Sequence, residues 1–355
     1  MLHVTKSFLP ELKTYTKYLE RIWKTSHLTN DGPLLLELEA KLAEFLQVKH
    51  FFFVTNGTIA LQLAIKALDL KGEIITTPFS YCATSNSIIW ENCKPIFADI
   101  SPDSLTVESD NIKAKISSDT CAILTTHVYG NAGDLERQEQ LAKDYHLPLI
   151  YDGAHAFGVK YKGKSIFNYG DVSTCSFHAT KIFHTVEGGA VMTNNDSLAL
   201  KIKELRSFGH KGDDYFSAGI NGKNSEFHAA MGLANFEHFD QIKSHRKWAS
   251  AFYDKNLNDS IKKVEFNLNI ERNYSYYPIL LSNEKQLLDI VGELNKNDIY
   301  PRRYFYPSLN TLSFIDYQPC PISEDIASRI LCLPLSAEIN ETELLSVCNI
   351  INQQL

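Results

Sequence analysis

The stretch CAILTTHVYGNAGDLERQEQLAKDYHLPLIYDGAHAFGVKYKGKSIFNYGDVSTCSFHATK, residues 121–181, decides the fold. Its first ten residues, CAILTTHVYG, form an apolar run that reads as a strand. DLERQEQLAKDYH (134–146) reads as a helix, PLIYD (148–152) as a second strand and STCSFH (173–178) as a third. The strands are apolar throughout rather than on alternate residues, the pattern of strands covered by helices on both faces.

The same rhythm extends outward in both directions. Upstream lie FFFVTN (51–56) as a strand, GTIALQLAIKALDL as a helix, EIITTPFS as a strand, SYCATSNSIIW as a helix and KPIFADI as a strand. Downstream, GAVMTN (189–194) is a further strand. Before residue 51 the chain reads as a helix near 10–24, a loop LTNDGP and a helical LLLELEAKLAEFL. Repeated βα units argue for an α/β domain built on a mostly parallel sheet.

Beyond about residue 195 the rhythm ends. The helix SLALKIKELRSFG leads into a Gly-rich polar loop, HKGDDYFSAGINGKNSE, and one long helical stretch follows from about Glu226 to Asn256. YSYYPILLS, a helix at about 284–296, IYPRRYFYP, the strand ILCLPLS and the helix ETELLSVCNIINQQ complete a smaller α+β unit. The expected division is a large α/β domain over 1–245 and a small C-terminal domain over 246–355, an ordinary arrangement for 355 residues.

Composition excludes several function classes. With 44% hydrophobic and 22% charged residues the chain can build a sizeable core. A formal net charge of -7 and no basic run disfavour nucleic acid as the main partner. None of the seven cysteines forms a C-x-x-C pair, so they read as free thiols of a reducing cytoplasm. MLHVTKSFLPELK lacks the apolar core of a signal peptide, and no apolar run is long enough to span a membrane.

Ligands of open α/β sheets sit beyond the carboxyl ends of the strands, so the residues after each strand carry the functional argument. Thr55-Asn56-Gly57-Thr58 turns directly into a helix. Its free N–H groups suit a phosphate, although Asn56 or Thr58 as a plain N-cap fits as well. Asp152 ends an apolar strand, where a charge needs a partner such as a protonated pyridine nitrogen. His155, three residues on, is placed to lie against such a ring; a capping Asp and a core histidine are the alternatives. Lys181 follows Ser176-Phe177-His178-Ala179-Thr180. Burial there would lower its pKa toward nucleophilicity, and Ser176 could hold a phosphate; an exposed loop lysine is the competing reading. In Pro78-Phe79-Ser80-Tyr81 an aromatic can stack on a planar ring, with Phe79 read as core. No G-x-G-x-x-G follows a strand and no G-x-x-x-x-G-K-[ST] loop occurs, so a dinucleotide or P-loop site is disfavoured.

At these residues the sequence resembles the DegT/StrS-type family of pyridoxal-phosphate (PLP) dependent nucleotide-sugar aminotransferases. The likeness runs through LTNDGP, NGTIALQLAIKAL, TPFSYCAT, HVYGNAGDL, DGAHAFGVKYKGK, SFHATKIFHTVEGGAVMTN, GINGKNSEFHAAMG and LCLPLS, nearly the whole chain. The resemblance implies the aspartate-aminotransferase fold (PLP fold type I), PLP as cofactor, and a homodimer with shared active sites. It implies that Lys181 is the Schiff-base lysine, Asp152 the partner of the pyridine nitrogen and His155 a neighbour of the ring. Gly57, Thr58 and Ser176 correspond to phosphate ligands, Tyr81 to the stacking aromatic, and Asn221 to an asparagine reaching the phosphate of the other subunit. The family often carries Arg two residues after that asparagine; here it is Lys223, which departs from the pattern. A subgroup with His in place of the lysine deoxygenates sugars, whereas Lys181 implies transamination.

TTPFSY, THVYGN, FHATKIFHTVEGG and NGKNSEFHAAMGLAN look most like the VioA-type transaminases that make dTDP-4-amino-4,6-dideoxyglucose from dTDP-4-keto-6-deoxyglucose for surface polysaccharide such as O-antigen. L-glutamate is the donor this implies. Lys223 and the cluster Arg302-Arg303-Tyr304 are candidates for the substrate's phosphates. A sugar 3-aminotransferase, another PLP enzyme and a non-catalytic PLP-binding regulator are the other readings.

Overall fold

A computed structural model describes all residues, Met1–Leu355. At its centre is a seven-stranded sheet. Its strands are β1 (His50–Val54), β2 (Glu73–Thr76), β3 (Lys94–Phe97), β4 (Thr120–Thr126), β5 (Leu149–Asp152), β6 (Val172–Ser176) and β7 (Gly189–Thr193). Their spatial order is β1-β7-β6-β5-β4-β2-β3, and only β7 runs antiparallel to its neighbours. The α/β expectation with a mostly parallel sheet holds. It holds because strands such as Phe51–Val54 and Ala122–Thr126 are buried on both faces.

The first helices are α1 (Leu12–Thr25), α2 (Pro33–Leu46), α3 (Gly57–Ala67) and α4 (Ala83–Trp90). Next come α5 (Leu135–Asp144), α6 (Asp196–Leu205), α7 (Glu226–Phe236) and α8 (Phe239–Asn256). Two cores sandwich the sheet. One contains Leu61, Ala64, Ile65 and Ile202 with Val54, Ile74 and Ile150. The other joins Leu35, Leu38 and Leu42 to Phe53, Phe157, Phe177 and Phe183.

The single helical stretch expected from 226 to 256 is two helices, broken at Glu237–His238. Neither Pro nor Gly stands there. The break lies between Phe236 and Phe239, whose rings both pack edge-on against Phe45, 5.2 and 5.5 Å between centroids. Tertiary packing, not local propensity, bends the chain at this point. The polar loop after α6 also holds a short antiparallel pair, His210–Lys211 with Asp214–Tyr215.

The C-terminal part has its own three-stranded sheet. Lys262–Lys263 and β9 (Ile330–Leu333) flank β8 (Tyr277–Leu280), all antiparallel. With α9 (Glu284–Lys296), α10 (Pro321–Arg329) and α11 (Glu341–Gln353) it surrounds a third core of Ile279, Leu287, Ile290, Leu331, Leu344 and Val347. Helix α8 belongs to both parts: Phe239 and Ile242 enter the sheet core, while Ala249 and Tyr253 enter the C-terminal one. Leu2–His3 pairs in parallel with Ile299–Tyr300, so the first residues pack on the C-terminal part.

Candidate active site

The carboxyl ends of β4, β5 and β6 open on a cavity of about 360 Å³. Seven of the eight residues expected from the sequence line it: Gly57, Thr58, Tyr81, Asp152, His155, Ser176 and Lys181. The eighth, Asn221, lies outside this cavity on an exposed stretch bridged to Ser207.

The phosphate-binding candidate is the start of α3. Asn56 caps the helix, its side-chain oxygen accepting the Ile59 N–H at 2.9 Å. The N–H groups of Gly57 and Thr58 precede the first intrahelical bond and need an outside acceptor. Both alternatives raised by the sequence are therefore compatible: Asn56 caps, and the next two residues remain free. A Cβ on Gly57 would stand 2.9 Å from the Ser176 Cβ, so glycine lets the helix start approach the end of β6.

Asp152 ends β5 and is buried. One carboxylate oxygen accepts the Thr84 hydroxyl at 2.7 Å and the other the Ala154 N–H at 3.0 Å. It makes no ion pair. Burial raises its pKa above the usual carboxylate value, opposed by those two hydrogen bonds and the Lys181 charge. The Thr84 hydroxyl continues into a buried chain: it lies 2.7 Å from the Ser80 hydroxyl, which accepts from Thr126 at 3.1 Å. Sequence reasoning missed this chain, although Ser80 and Thr84 lie within the quoted TPFSYCAT.

His155 is also buried. Its Nδ1 accepts the Tyr129 N–H at 3.1 Å, which leaves the ring proton on Nε2. Phe305 stacks on the ring at 5.4 Å and 4°. Burial, with the nearby Lys181 charge, holds its pKa well below the ordinary histidine value, so the ring is neutral.

Lys181 sits in the loop between β6 and β7, anchored on both sides. Phe177 and Phe183 are buried and meet edge to face at 5.1 Å. The Lys181 N–H donates to His178 O at 2.8 Å and the Thr185 N–H to Phe177 O at 3.0 Å. The lysine is half-buried rather than a solvated loop residue. Burial lowers its pKa, opposed mainly by Tyr304 and Asp152.

The remaining candidates separate. Phe79 is core, fully buried against Tyr129 and Phe305. Tyr81 is 53% exposed at the cavity wall, free to cover a flat ligand. Arg302 and Tyr304 line the cavity, with the Arg302 guanidinium 4.6 Å over the Tyr304 ring. Arg303 is engaged elsewhere, donating to Glu284 at 2.5 Å and Ser328 O at 2.9 Å. Lys223 lies over the Phe208 ring at 5.1 Å, away from this cavity.

Residues 11–352 match the DegT/DnrJ/EryC1/StrS aminotransferase family. The chain belongs to this family. It is 39% identical over 348 residues to a dTDP-4-amino-4,6-dideoxy-D-glucose transaminase of Shigella dysenteriae, covering 96% of this chain and 95% of that protein. An Escherichia coli protein of the same name is 38% identical, covering 95% and 94%. The solved structure of DesI in the presence of its TDP-sugar product superposes with a TM-score of 0.94 at 28% identity, covering 99% of this chain and 92% of that one.

Aminotransferases of the DegT/DnrJ/EryC1/StrS family are PLP-dependent. The residues present suit that group on three independent points. A buried carboxylate without a cation matches a protonated ring nitrogen. Free N–H groups at a glycine-tightened helix start match a phosphate. A lysine with a lowered pKa matches a carbonyl-capturing amine.

Proposed function

We propose that this aminotransferase carries PLP and moves an amino group from L-glutamate to a keto sugar nucleotide. The acceptor is dTDP-4-keto-6-deoxy-D-glucose and the product dTDP-4-amino-4,6-dideoxy-D-glucose, for surface polysaccharide such as O-antigen. The observation that carries the reading is the convergence of Lys181, Asp152, His155 and the α3 start on one cavity. The two relatives of that name, each matched over nearly its whole length, support the choice of sugar.

In this reading Lys181 would hold PLP through its Nζ, Asp152 would face the ring nitrogen and His155 the ring edge. Gly57, Thr58 and Ser176 would take the phosphate, Tyr81 would cover the ring, and Asn221 would reach the phosphate of a partner subunit. Bound PLP supplies a conjugated ring that accepts the electron pair left when a carbon beside nitrogen loses a proton. The Lys181 amine, when free, takes the proton from the donor's Cα in the first half-reaction. In the second it delivers a proton to C4 of the sugar. Its lowered pKa favours the neutral amine that the first task needs. The Thr84 hydroxyl and Ala154 N–H fix the Asp152 carboxylate, so its charge is oriented before the ligand arrives. Arg302, exposed at the cavity and without an ion-pair partner, is the one cation among the proposed phosphate contacts that lines it.

The chain divides near residue 245 into a PLP-binding domain and a small domain, works as a homodimer and resides in the cytoplasm. A core of its own for the C-terminal part supports the division. No helix is long and apolar enough to cross a membrane.

The deciding experiment is an absorbance spectrum of the purified protein before and after L-glutamate, then after dTDP-4-keto-6-deoxyglucose. A band near the visible edge should fade with glutamate and return with the keto sugar. A band that fades without returning rejects this acceptor, and no band even with added PLP rejects the reading as a whole.

A further inference from the structure

Tyr276 lies in the stretch YSYYPILLS, and nothing in the sequence marks it out. It stands one residue before β8, where the C-terminal part meets the cavity. Its ring is 4% exposed. It packs against His155 at 4.7 Å and Tyr129 at 5.7 Å, with Tyr304 edge-on at 5.4 Å. A buried phenol normally finds a hydrogen-bond partner for its hydroxyl. Here that partner is the Lys181 amine: Nζ donates to the Tyr276 oxygen at 3.4 Å, the single hydrogen bond that this hydroxyl makes.

We propose that Tyr276 is a positioning residue for Lys181, its hydroxyl holding Nζ in place whenever the amine is not bonded to cofactor. The inference rests on the aminotransferase reading of the site. A lysine side chain is long and freely rotating, so an untethered amine samples many positions and only a few can react. The Tyr276 hydroxyl restricts that sampling. It comes from a buried ring that is itself clamped between His155 and Tyr304. Burial pushes the phenol's pKa upward, so it stays un-ionised and can both accept an N–H and donate to the amine lone pair. Tyr304 lines the same cavity, but its hydroxyl makes no hydrogen bond to the lysine. The link also ties the C-terminal part to the reactive group: Asn273 and Ser275, just before Tyr276, donate to the His155 carbonyl at 2.8 and 3.0 Å.

Tyr276→Phe keeps the ring and removes the tether. Two readouts on cofactor-free protein separate positioning from structure. The first is the rate of PLP capture, in which Nζ bonds to the carbonyl carbon while its two hydrogens leave with the carbonyl oxygen as water. The second is the affinity for pyridoxamine phosphate, which fills the same site without reacting with the lysine. The expected result is capture slowed about tenfold with pyridoxamine phosphate affinity within about twofold of wild type. In the PLP-loaded enzyme, kcat should fall about tenfold or more with KM for glutamate within about twofold. Capture and kcat equal to wild type overturn the proposal, as does a parallel loss of pyridoxamine phosphate affinity. Wild-type protein that takes up neither compound overturns the aminotransferase reading itself.

Discussion

Asp152 is a carboxylate held from water by one hydroxyl and one N–H, with no cation in contact. Such a charge is costly until a positive partner arrives, which makes it a receptor for one. Asp152→Ala should lower kcat by about 10²-fold or more with the cavity intact, and steady-state rates in the forward direction check this. Lys181→Ala removes the proposed proton carrier as well as the proposed covalent link. Turnover should fall by at least about 10³-fold, while pyridoxamine phosphate still binds in a dialysis assay. His127 offers a different test. It is buried, stacked on Tyr151 at 4.5 Å, and its Nε2 has no partner. Burial pushes its pKa down to about 3. The unfolded chain therefore binds a proton near the ordinary value of 6.5 that the native state refuses. Stability is full above that value and is lost as pH falls toward 3. By pH 5 the loss from this group is about 2 kcal/mol. Urea titrations at pH 7.5 and 5.0 should show His127→Asn losing about that much less than wild type between the two.

Elements set the site by how closely they approach. The start of α3 reaches the end of β6 only because Gly57 has no side chain. Gly57→Ala should push the helix start outward and weaken PLP binding by about tenfold, read by fluorescence titration of cofactor-free protein. The Lys181 loop is held by Phe177 and Phe183, and Phe183 also stacks on Phe157 at 4.4 Å. Phe183→Ala leaves a cavity in that aromatic cluster and should cost about 3–5 kcal/mol in a urea titration. Much of this level was legible in the sequence: every central strand was placed, because a doubly covered strand must be apolar along its length. The break between α7 and α8 was not legible, since no breaker residue marks it and Phe236 and Phe239 are set by distant partners.

At the scale of the whole molecule, the N-terminal segment ties the C-terminal part to the site. The first residues pair with Ile299–Tyr300, and the Val4 carbonyl accepts the Leu335 N–H at 3.0 Å. The Ser7 hydroxyl then donates to Ala179 O at 2.6 Å, two residues from Lys181. The C-terminal part is thus tied to the Lys181 loop by a strap as well as through α8. Asn221 lies outside its own subunit's cavity, which suits the proposed role across a dimer. Complementation tests this. In a 1:1 mixture of Lys181→Ala and Asn221→Ala chains, refolded together, half the dimers are mixed and each keeps one intact site, so activity should return to about a quarter of wild type. If both residues served the same subunit, each chain would carry a defect in its own site and no activity would return.

Sequence alone determined the βα order, the placement of Asp152, His155, Ser176 and Lys181 at successive strand ends, and the family they belong to. These follow from local periodicity and from residue types whose chemistry is the same wherever they stand. Only the tertiary structure decided which hydroxyl meets Lys181, which of the paired arginines faces the cavity, and how Thr126, Ser80 and Thr84 reach Asp152. Tyr276 and Lys181 lie 95 residues apart in the chain. Contacts of that kind depend on how separate elements pack, and packing distances of a few ångströms leave no period or spacing in the chain to read.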